Sequence, residues 1–301
     1  MKIIVLGAGA GGGFPQWNAA SINNRLAFAA DPNTRQATQC SLAVSSNGDD
    51  WLLLNASPDI RQQIIATPEL HPRQAPRSQA LRSSPIKAIM LTGADIDAIT
   101  GLLSLRERQP FSLWATDYVL KMIRENSIFN VLDRDLVRFH AIQPGQEFEP
   151  LPGLICQALP SPGKPPLYLE ASQGIEPVDG SSIGVKLTSA QGKSLTFMPS
   201  CSEITLDILK ALEGTDALFF DGTLCVDEEM VRSGEGQKTA RRMGHVAMDH
   251  SIARLCDINV SERYFIHINN TNPTLNRSSP ERKIIESAGW RIAEDGMRIE
   301  V

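Results

Sequence analysis

The sequence has few of the features that mark secreted, membrane-spanning or nucleic-acid-binding proteins. Its five cysteines are widely spread and form no C-x-x-C pair, which indicates reduced thiols rather than a disulfide framework. No stretch reaches the roughly 20 apolar residues that a membrane-spanning helix needs. The short apolar run after Lys2 is interrupted at Gly7, which argues against a signal peptide. We therefore expect a cytoplasmic protein.

Positive charge is also scarce. Lysine and arginine number 29 against 34 aspartates and glutamates, so the net charge is −5 and the pI is about 5.6. A chain of this kind offers no basic surface for a nucleic acid backbone or an anionic membrane, and we expect neither partner. The 301 residues could hold two domains by length, but single α/β domains of this size are common. We predict one domain over residues 1–301 and leave homo-oligomer formation open.

Short apolar stretches alternate with amphipathic ones, which predicts an α/β fold. Helices are indicated after Thr116, over 204–212, and after Ser279 where Pro280 opens the first turn. A hairpin turn is predicted at Asp295-Gly296. The predicted strands cover residues 3–6, 41–44, 51–54, 86–91, 184–187, 194–198, 217–220 and 264–268. Residues 67–84 and 159–182 are rich in proline, serine and glycine and predict loops that either cover a site or are surface insertions.

A glycine-rich segment follows the first predicted strand. Residues 7–13 contain a formal G-x-G-x-x-G, which in dinucleotide-binding proteins opens a helix against the pyrophosphate. Here Pro15 disfavours a helix at Phe14, and no strand ending in an acidic residue follows at the expected distance. We predict a turn that packs against the functional site, and no nucleotide cofactor.

Acidic and imidazole side chains follow several predicted strands. Asp95 and Asp97 lie in the loop after residues 88–91, Asp221 closes the apolar stretch 217–220, and His267 lies within an apolar strand. The simpler interpretations are that one loop aspartate caps a helix and that the histidine is a core residue. Ligand sites form just past strand ends in α/β sheets, and a buried lone carboxylate is costly without a partner. Together these positions favour a divalent metal centre.

Five stretches resemble the signature segments of the pyrroloquinoline quinone (PQQ) biosynthesis protein B family, in the same order along nearly the whole chain. They are residues 11–18 (GGGFPQWN), 55–61 (NASPDIR), 220–223 (FDGT), 243–245 (MGH) and 267–273 (HINNTNP). The sequence order also resembles the metallo-β-lactamase superfamily, in which the first loop reads His-x-His-x-Asp-His. That motif falls on Gly93, Asp95, Asp97 and Ala98.

The resemblance implies an αββα metallo-β-lactamase-like sandwich with its site at one edge of the two sheets. It implies that Asp97, Asp221 and His267 bind a divalent metal, Fe(II) in the first place and Zn(II) as the alternative. His245 would act as an acid/base or supporting group, and Asp95 as an additional carboxylate. The implied substrate is a dipeptide-like Glu-Tyr precursor of PQQ.

Two single positions and one short segment depart from the patterns of the family and superfamily. The family histidine after Asp97 is replaced by Ala98, which puts the occupancy of the metal site in question. Lys164 stands where other superfamily members have a histidine ligand, so the first metal position is predicted to be absent. A C-x-C-x-x-C segment is replaced by the residues Ala19, Ser21 and Asn24, which cannot substitute for thiolates at a zinc site.

Three functions are compatible with this sequence. The first is a mononuclear metal oxygenase that hydroxylates the tyrosine ring, with His245, His267 and either Asp97 or Asp221 as ligands. The second is a carrier that binds PQQ or its precursor, or assists in its transport, without chemistry. The third is a metal-dependent hydrolase, which is disfavoured because Gly93, Asp95 and Lys164 replace the histidines that it needs.

Overall fold

The computed structural model describes residues 1–73 and 81–301, and fourteen strands lie within these ranges. The strands are β1 (Lys2–Gly7), β2 (Ser41–Ser45), β3 (Trp51–Leu54), β4 (Ile86–Met90), β5 (Phe111–Thr116), β6 (Val137–Ile142), β7 (Glu147–Leu151), β8 (Leu154–Pro160), β9 (Ile183–Ser189), β10 (Ser194–Met198), β11 (Thr215–Asp221), β12 (Val260–Ile266), β13 (Trp290–Ile292) and β14 (Arg298–Glu300). Part of the loop predicted over 67–84, residues 74–80, lies outside the described residues.

The strands form two seven-stranded sheets of matching design. The first has the order β14-β1-β2-β3-β4-β5-β6 and the second β13-β12-β11-β10-β9-β8-β7. In each sheet one side is antiparallel, and the strands β3 to β6 and β10 to β13 run parallel. Carboxyl ends of parallel strands share one edge of a sheet, which is where ligand sites form in α/β proteins.

Alternate residues of β11 face opposite sides of its sheet, and both sides are buried. Ala217 and Phe219 point into the core between the sheets, whereas Leu218 and Phe220 pack against the outer helices. A strand buried on both faces reads as a continuous apolar run, as it does here. The same alternation places Asp221 on the inner face, at the end of the strand. Two sheets enclosed by helices confirm the predicted αββα fold.

The helices cover the outer faces of the two sheets and fill the connections between strands. Thr116 caps α4 by accepting a hydrogen bond from Val119 N at 3.2 Å, and Ser279 caps α10 in the same way. The helices are α1 (Ile22–Phe28), α2 (Ile60–Ala66), α3 (Ile96–Ile99), α4 (Asp117–Glu125), α5 (Glu170–Gln173), α6 (Leu206–Leu212), α7 (Glu229–Ser233), α8 (Ala240–Met243), α9 (Met248–Arg254) and α10 (Pro280–Ser287). Within the described residues, no helix has the length and apolar character to cross a membrane.

The hairpin predicted at Asp295-Gly296 is wrong. The turn itself exists, but β13 pairs with β12 in the second sheet and β14 pairs with β1 in the first. The turn therefore crosses from one sheet to the other. The carboxylate of Asp295 fixes it there by accepting hydrogen bonds from Ala8 N at 2.9 Å and Thr38 N at 2.7 Å. These contacts also hold the glycine-rich segment against the sheet ends.

Candidate metal centre

The predicted site residues come from both sheets and meet at the shared edge. The first sheet supplies Asp95 from the loop after β4 and Asp97 from the first turn of α3, and the second supplies Asp221 at the end of β11 and His267 after β12. His245 enters from the loop after α8. The imidazole Nε2 of His267 lies 2.9 Å from Asp97 Oδ2, so a direct contact joins the two sheets.

Asp221 is fully buried, and both of its oxygens accept hydrogen bonds. Oδ2 accepts from Cys201 N at 2.9 Å and from His245 Nδ1 at 2.8 Å, while Oδ1 accepts from Thr223 N at 3.1 Å. These bonds stabilise an ionised carboxylate in a place where an unpaired one would cost several kcal/mol. For Asp221 to bind a metal directly, the metal would have to replace the His245 hydrogen bond.

The hydroxyl of Thr223 links the acidic and imidazole groups. It lies 2.7 Å from Asp221 Oδ1, 3.0 Å from His245 Nδ1 and 2.8 Å from His267 Nδ1. A hydroxyl has one proton to donate, and a carboxylate can only accept, so the Thr223 proton goes to Asp221. Both imidazoles then carry a proton on Nδ1, so Nε2 is the potential metal ligand of each, and at His267 a metal would have to replace the proton that Nε2 shares with Asp97.

His267 adopts a left-handed backbone conformation with φ +63°, which costs a non-glycine residue about 1–2 kcal/mol. Its imidazole and the Asp97 carboxylate stabilise each other's charged forms. Burial alone would lower the pKa of His267, but the hydrogen bond and charge of Asp97 raise it above its usual value. Burial would likewise raise the pKa of Asp97, and the partner imidazole lowers it below the usual range.

Asp95 lies at the mouth of the site. It precedes α3 as the N-cap residue, yet its side chain makes no capping hydrogen bond, so capping does not explain its presence. Although the residue as a whole is exposed to solvent, desolvation of its carboxyl and the nearby charge of Asp97 raise the pKa of Asp95 to about 6. Its carboxyl group can therefore hold or release a proton close to neutral pH.

Several residues that support the site were not assigned a role from the sequence. Asn55 accepts a hydrogen bond from Thr92 N at 2.9 Å and donates to Thr92 Oγ1 at 3.0 Å, which fixes the start of the aspartate loop. Gly222 lets the ends of β11 and β12 approach, because a Cβ there would lie 2.7 Å from Ile268 Cδ1. Asn55 and Gly222 could have been identified from the sequence, because they lie in the stretches 55–61 and 220–223 that carry the family resemblance.

The site opens into a cavity of about 280 Å³. Asp95, Asp97, His245 and His267 line it, and Asp221 lies behind Thr223. Ligand atoms of Asp221, His245 and His267 all lie within 4.8 Å of one another. Two imidazoles with adjacent carboxylates are a donor set that suits Fe(II) or Zn(II). The residues therefore fit a single divalent metal.

Gly93, Ala98 and Lys164, which the resemblance marked as departures, lie around the same cavity. Gly93 and Ala98 line it and offer no ligand atom, so the first sheet supplies carboxylates alone. Lys164 also lines the cavity, and its ammonium group lies 2.5 Å from Glu170 Oε1. An ammonium donates only and cannot replace an imidazole as a metal ligand.

The segment around Ala19, Ser21 and Asn24 is held by amide and hydroxyl groups. The buried Asn24 donates to Ser21 Oγ at 2.8 Å and to Asn270 Oδ1 at 3.1 Å, and it accepts from Gln16 N at 2.8 Å. These bonds join the start of α1 to the chain that follows His267. Ordinary side-chain packing thus occupies the place of the family's cysteine motif, and the absence of zinc there stays a prediction.

This fold and site define a class of protein. Residues 50–268 match the family model of the Beta-lactamase superfamily domain, which is more than half of the chain. The chain therefore belongs to that superfamily. A diphosphatase of the PhnP family shares the fold, with a TM-score of 0.67 at 20% identity over 100% of this chain and 96% of that one.

Closer relatives narrow the class to one family. The chain is 46% identical to coenzyme PQQ synthesis protein B of Methylorubrum extorquens strain AM1, over 100% of both sequences. It is 45% identical to the protein of that name from Rhodopseudomonas palustris strain BisB5, over 99% of both. The crystal structure of Zn(2+)-bound PqqB from Methylobacterium extorquens matches all of both chains with a TM-score of 0.96 and 46% identity. The chain belongs to the coenzyme PQQ synthesis protein B family, which confirms the resemblance found in the sequence.

Proposed function

We propose that this protein hydroxylates the tyrosine ring of a Glu-Tyr-derived precursor of PQQ as a metal-dependent oxygenase. The observation that carries the proposal is the convergence of two imidazoles, His245 and His267, with the Asp97 and Asp221 carboxylates beside the cavity. Two histidines and one carboxylate with open positions are the usual donor set of non-haem Fe(II) oxygenases. Zn(II) in the Methylobacterium extorquens protein supports a divalent metal in this family.

The metal would be held by Nε2 of His245 and His267 and by one carboxylate, with Asp97 facing the cavity and Asp221 behind it. When bound, Fe(II) supplies dioxygen activation: one oxygen atom enters the ring, and the other leaves as water with two electrons from an external reductant of the ascorbate class. Thr223 and Asp221 orient both imidazoles through their Nδ1 protons.

The remaining cavity residues would act on protons and on substrate position. Asp95, whose carboxyl pKa is about 6, would accept a proton from the phenol or the ring carbon at neutral pH. The cavity of about 280 Å³ is suited to a single side chain rather than a whole large ligand. We infer that the tyrosine ring enters it while the rest of the dipeptide stays at the mouth.

A specific observation favours the carrier function as the second candidate. Ala98 presents a methyl group to the cavity where the family places an imidazole, and loss of a ligand weakens metal binding. A protein with the cavity but a weak metal site would bind the precursor or PQQ without oxidising it.

The experiment that separates the two begins with protein purified without chelator, whose metal content is measured. Fe(II) is then added anaerobically, and oxygen consumption is followed with Glu-Tyr and ascorbate. Oxygen uptake with a hydroxylated product supports the oxygenase, and a His245→Gln, His267→Gln variant should lack it. Tight binding of Glu-Tyr without uptake in the Fe(II)-loaded protein would favour the carrier.

A further inference from the structure

A segment between β8 and β9, residues 163–173, contributes Gly163, Lys164 and Leu167 to the wall of the metal cavity. It contains the 3-10 turn Leu167–Leu169 and helix α5. Tyr168 Oη donates to Ala94 O at 3.0 Å, and Tyr118 Oη donates to Gln173 Oε1 at 2.8 Å. The segment is therefore fastened to the first sheet, next to the loop that carries Asp95.

Glu170 of this segment faces three cationic groups. Its Oε1 lies 2.5 Å from Lys164 Nζ, and its Oε2 lies 3.7 Å from Lys238 Nζ and 3.6 Å from Arg242 Nη2. The Glu170 side chain is only 13% exposed. Lys164 and Lys238 also line the metal cavity. One carboxylate thus holds together three positive charges at the entrance to the site.

The arrangement has more cationic donors than acceptors. Within the described residues, Arg242 Nη1 is buried and has no hydrogen-bond partner. A buried donor without an acceptor is unfavourable, and a guanidinium readily binds carboxylates in a two-pronged fashion. Asp95 lies across the cavity and feels the charge of Lys164, but the cluster around Glu170 keeps an excess of positive charge. A second carboxylate would neutralise this excess charge and accept a hydrogen bond from Arg242 Nη1.

We propose that Lys164, Lys238 and Arg242 form a subsite for a substrate carboxylate, and that Glu170 occupies it as an internal substitute until the substrate arrives. The proposal rests on the proposed function and specifies how its dipeptide is recognised. A carboxylate bound here would lie at the cavity mouth while the aromatic ring points to His245 and His267. The exchange is a competition, so Glu170 should weaken substrate binding while the three cations strengthen it.

Calorimetric binding to the full chain tests this with Glu-Tyr, Gln-Tyr and Glu-Tyr amide. The wild type should bind Glu-Tyr about tenfold more tightly than at least one neutral analogue, because a hydrogen bond to a charged group is worth about that factor. The analogue that loses affinity identifies whether the side-chain or terminal carboxylate is bound. Glu170→Gln should bind Glu-Tyr several-fold more tightly, whereas Arg242→Gln and Lys238→Gln should bind it more weakly and discriminate less.

Lys210→Gln is the matched control, since the Lys210 and Asp207 side chains form an exposed pair on the surface of α6, and it should leave binding unchanged. Thermal unfolding verifies that each variant is folded. Equal binding of all three dipeptides, or weaker binding by Glu170→Gln, would overturn the subsite. Different affinities for the three dipeptides without oxygen uptake would uphold the subsite and refute the oxygenase. Equal oxygen uptake with all three dipeptides would uphold the oxygenase and refute the subsite.

Discussion

The two sheets contribute very different halves to the same site. The second-sheet half consists of Asp221, Thr223, His245 and His267, joined by a continuous set of hydrogen bonds. The first-sheet half offers Asp95 and Asp97 beside Gly93 and Ala98, which have no ligand atom. Burial requires that polar groups of the second-sheet half satisfy one another, whereas the first-sheet carboxylates are joined to that half through the contact between Asp97 and His267. The second-sheet half should thus carry stability and ligand orientation, and the first-sheet half should mainly tune metal affinity.

The largest effect is expected for Asp221→Ala. Removing this buried carboxylate leaves Cys201 N and the His245 imidazole without their acceptor, which should cost about 3–5 kcal/mol of unfolding free energy. Urea unfolding measures the loss. Asp216→Ala, at the opposite end of β11 and bonded to Lys193, is the control and should lose much less. Equal losses would mean that the buried network around Asp221 contributes no more to stability than the partly exposed ion pair of Asp216 and Lys193.

Glu229 provides a pH test of the second-sheet half. It accepts from Cys225 N at 2.6 Å and from Thr271 Oγ1 at 2.5 Å, so it joins the chain after Asp221 to the chain after His267. Burial raises the pKa of Glu229 to about 7 from an ordinary 4.5. The folded protein therefore favours the protonated form of the Glu229 carboxyl group. The contribution of this group to the free energy of unfolding is fully present below pH 4.5 and is lost as the pH rises through 7.

Glu229→Gln should consequently be more stable than the wild type at pH 8, by about 3 kcal/mol, and equal to it near pH 4.5. Thermal or urea unfolding across this range measures the difference. The exposed neighbour Glu228, paired with Arg232, is the control, and Glu228→Gln should show the wild-type pH dependence. A Glu229→Gln protein that is less stable at pH 8 would contradict the assignment.

In the first-sheet half, Asp97→Asn should lower Zn(II) affinity roughly 10 to 100-fold with little change in unfolding free energy. The amide keeps the shape but removes the charge next to His267 Nε2. Competition with a chromophoric chelator gives the affinity. Asp117→Asn, at an exposed position of α4, should leave the affinity unchanged. A large loss of unfolding free energy in Asp97→Asn would mean that the first-sheet half contributes as much to stability as the second.

The smallest effect is expected for Ala98→His, which places an imidazole on the cavity wall where the resemblance implies one. A further ligand on a site that is already formed should raise affinity for Fe(II) or Zn(II) about tenfold. Calorimetry compares it with the wild type, and addition of Asp97→Ala to the same protein should abolish the gain. Equal affinities would indicate that the site has been remodelled around another ligand, and would strengthen the carrier function.

Local patterns predicted the parts of this protein that depend on nearest neighbours. The apolar run 217–220 predicted a strand buried on both faces, and Thr116 and Ser279 predicted the starts of α4 and α10. The strands β5 to β8, β13 and β14 were not predicted. Among them, β6, β7 and β14 are partly exposed and lack a continuous apolar run. Asp295-Gly296 predicted its turn correctly but not the sheets on either side, because a turn has the same local geometry in both cases.

The sequence by itself determined the family, the αββα fold and the set of chemically able side chains, because these are carried by motifs and by periodicity. Only the tertiary structure decided how those side chains are used. It made Thr223 the common partner of Asp221, His245 and His267, and it placed Glu170 against Lys164, Lys238 and Arg242. Such contacts join residues far apart in the chain, and their distances depend on how the two sheets pack, which no local pattern records.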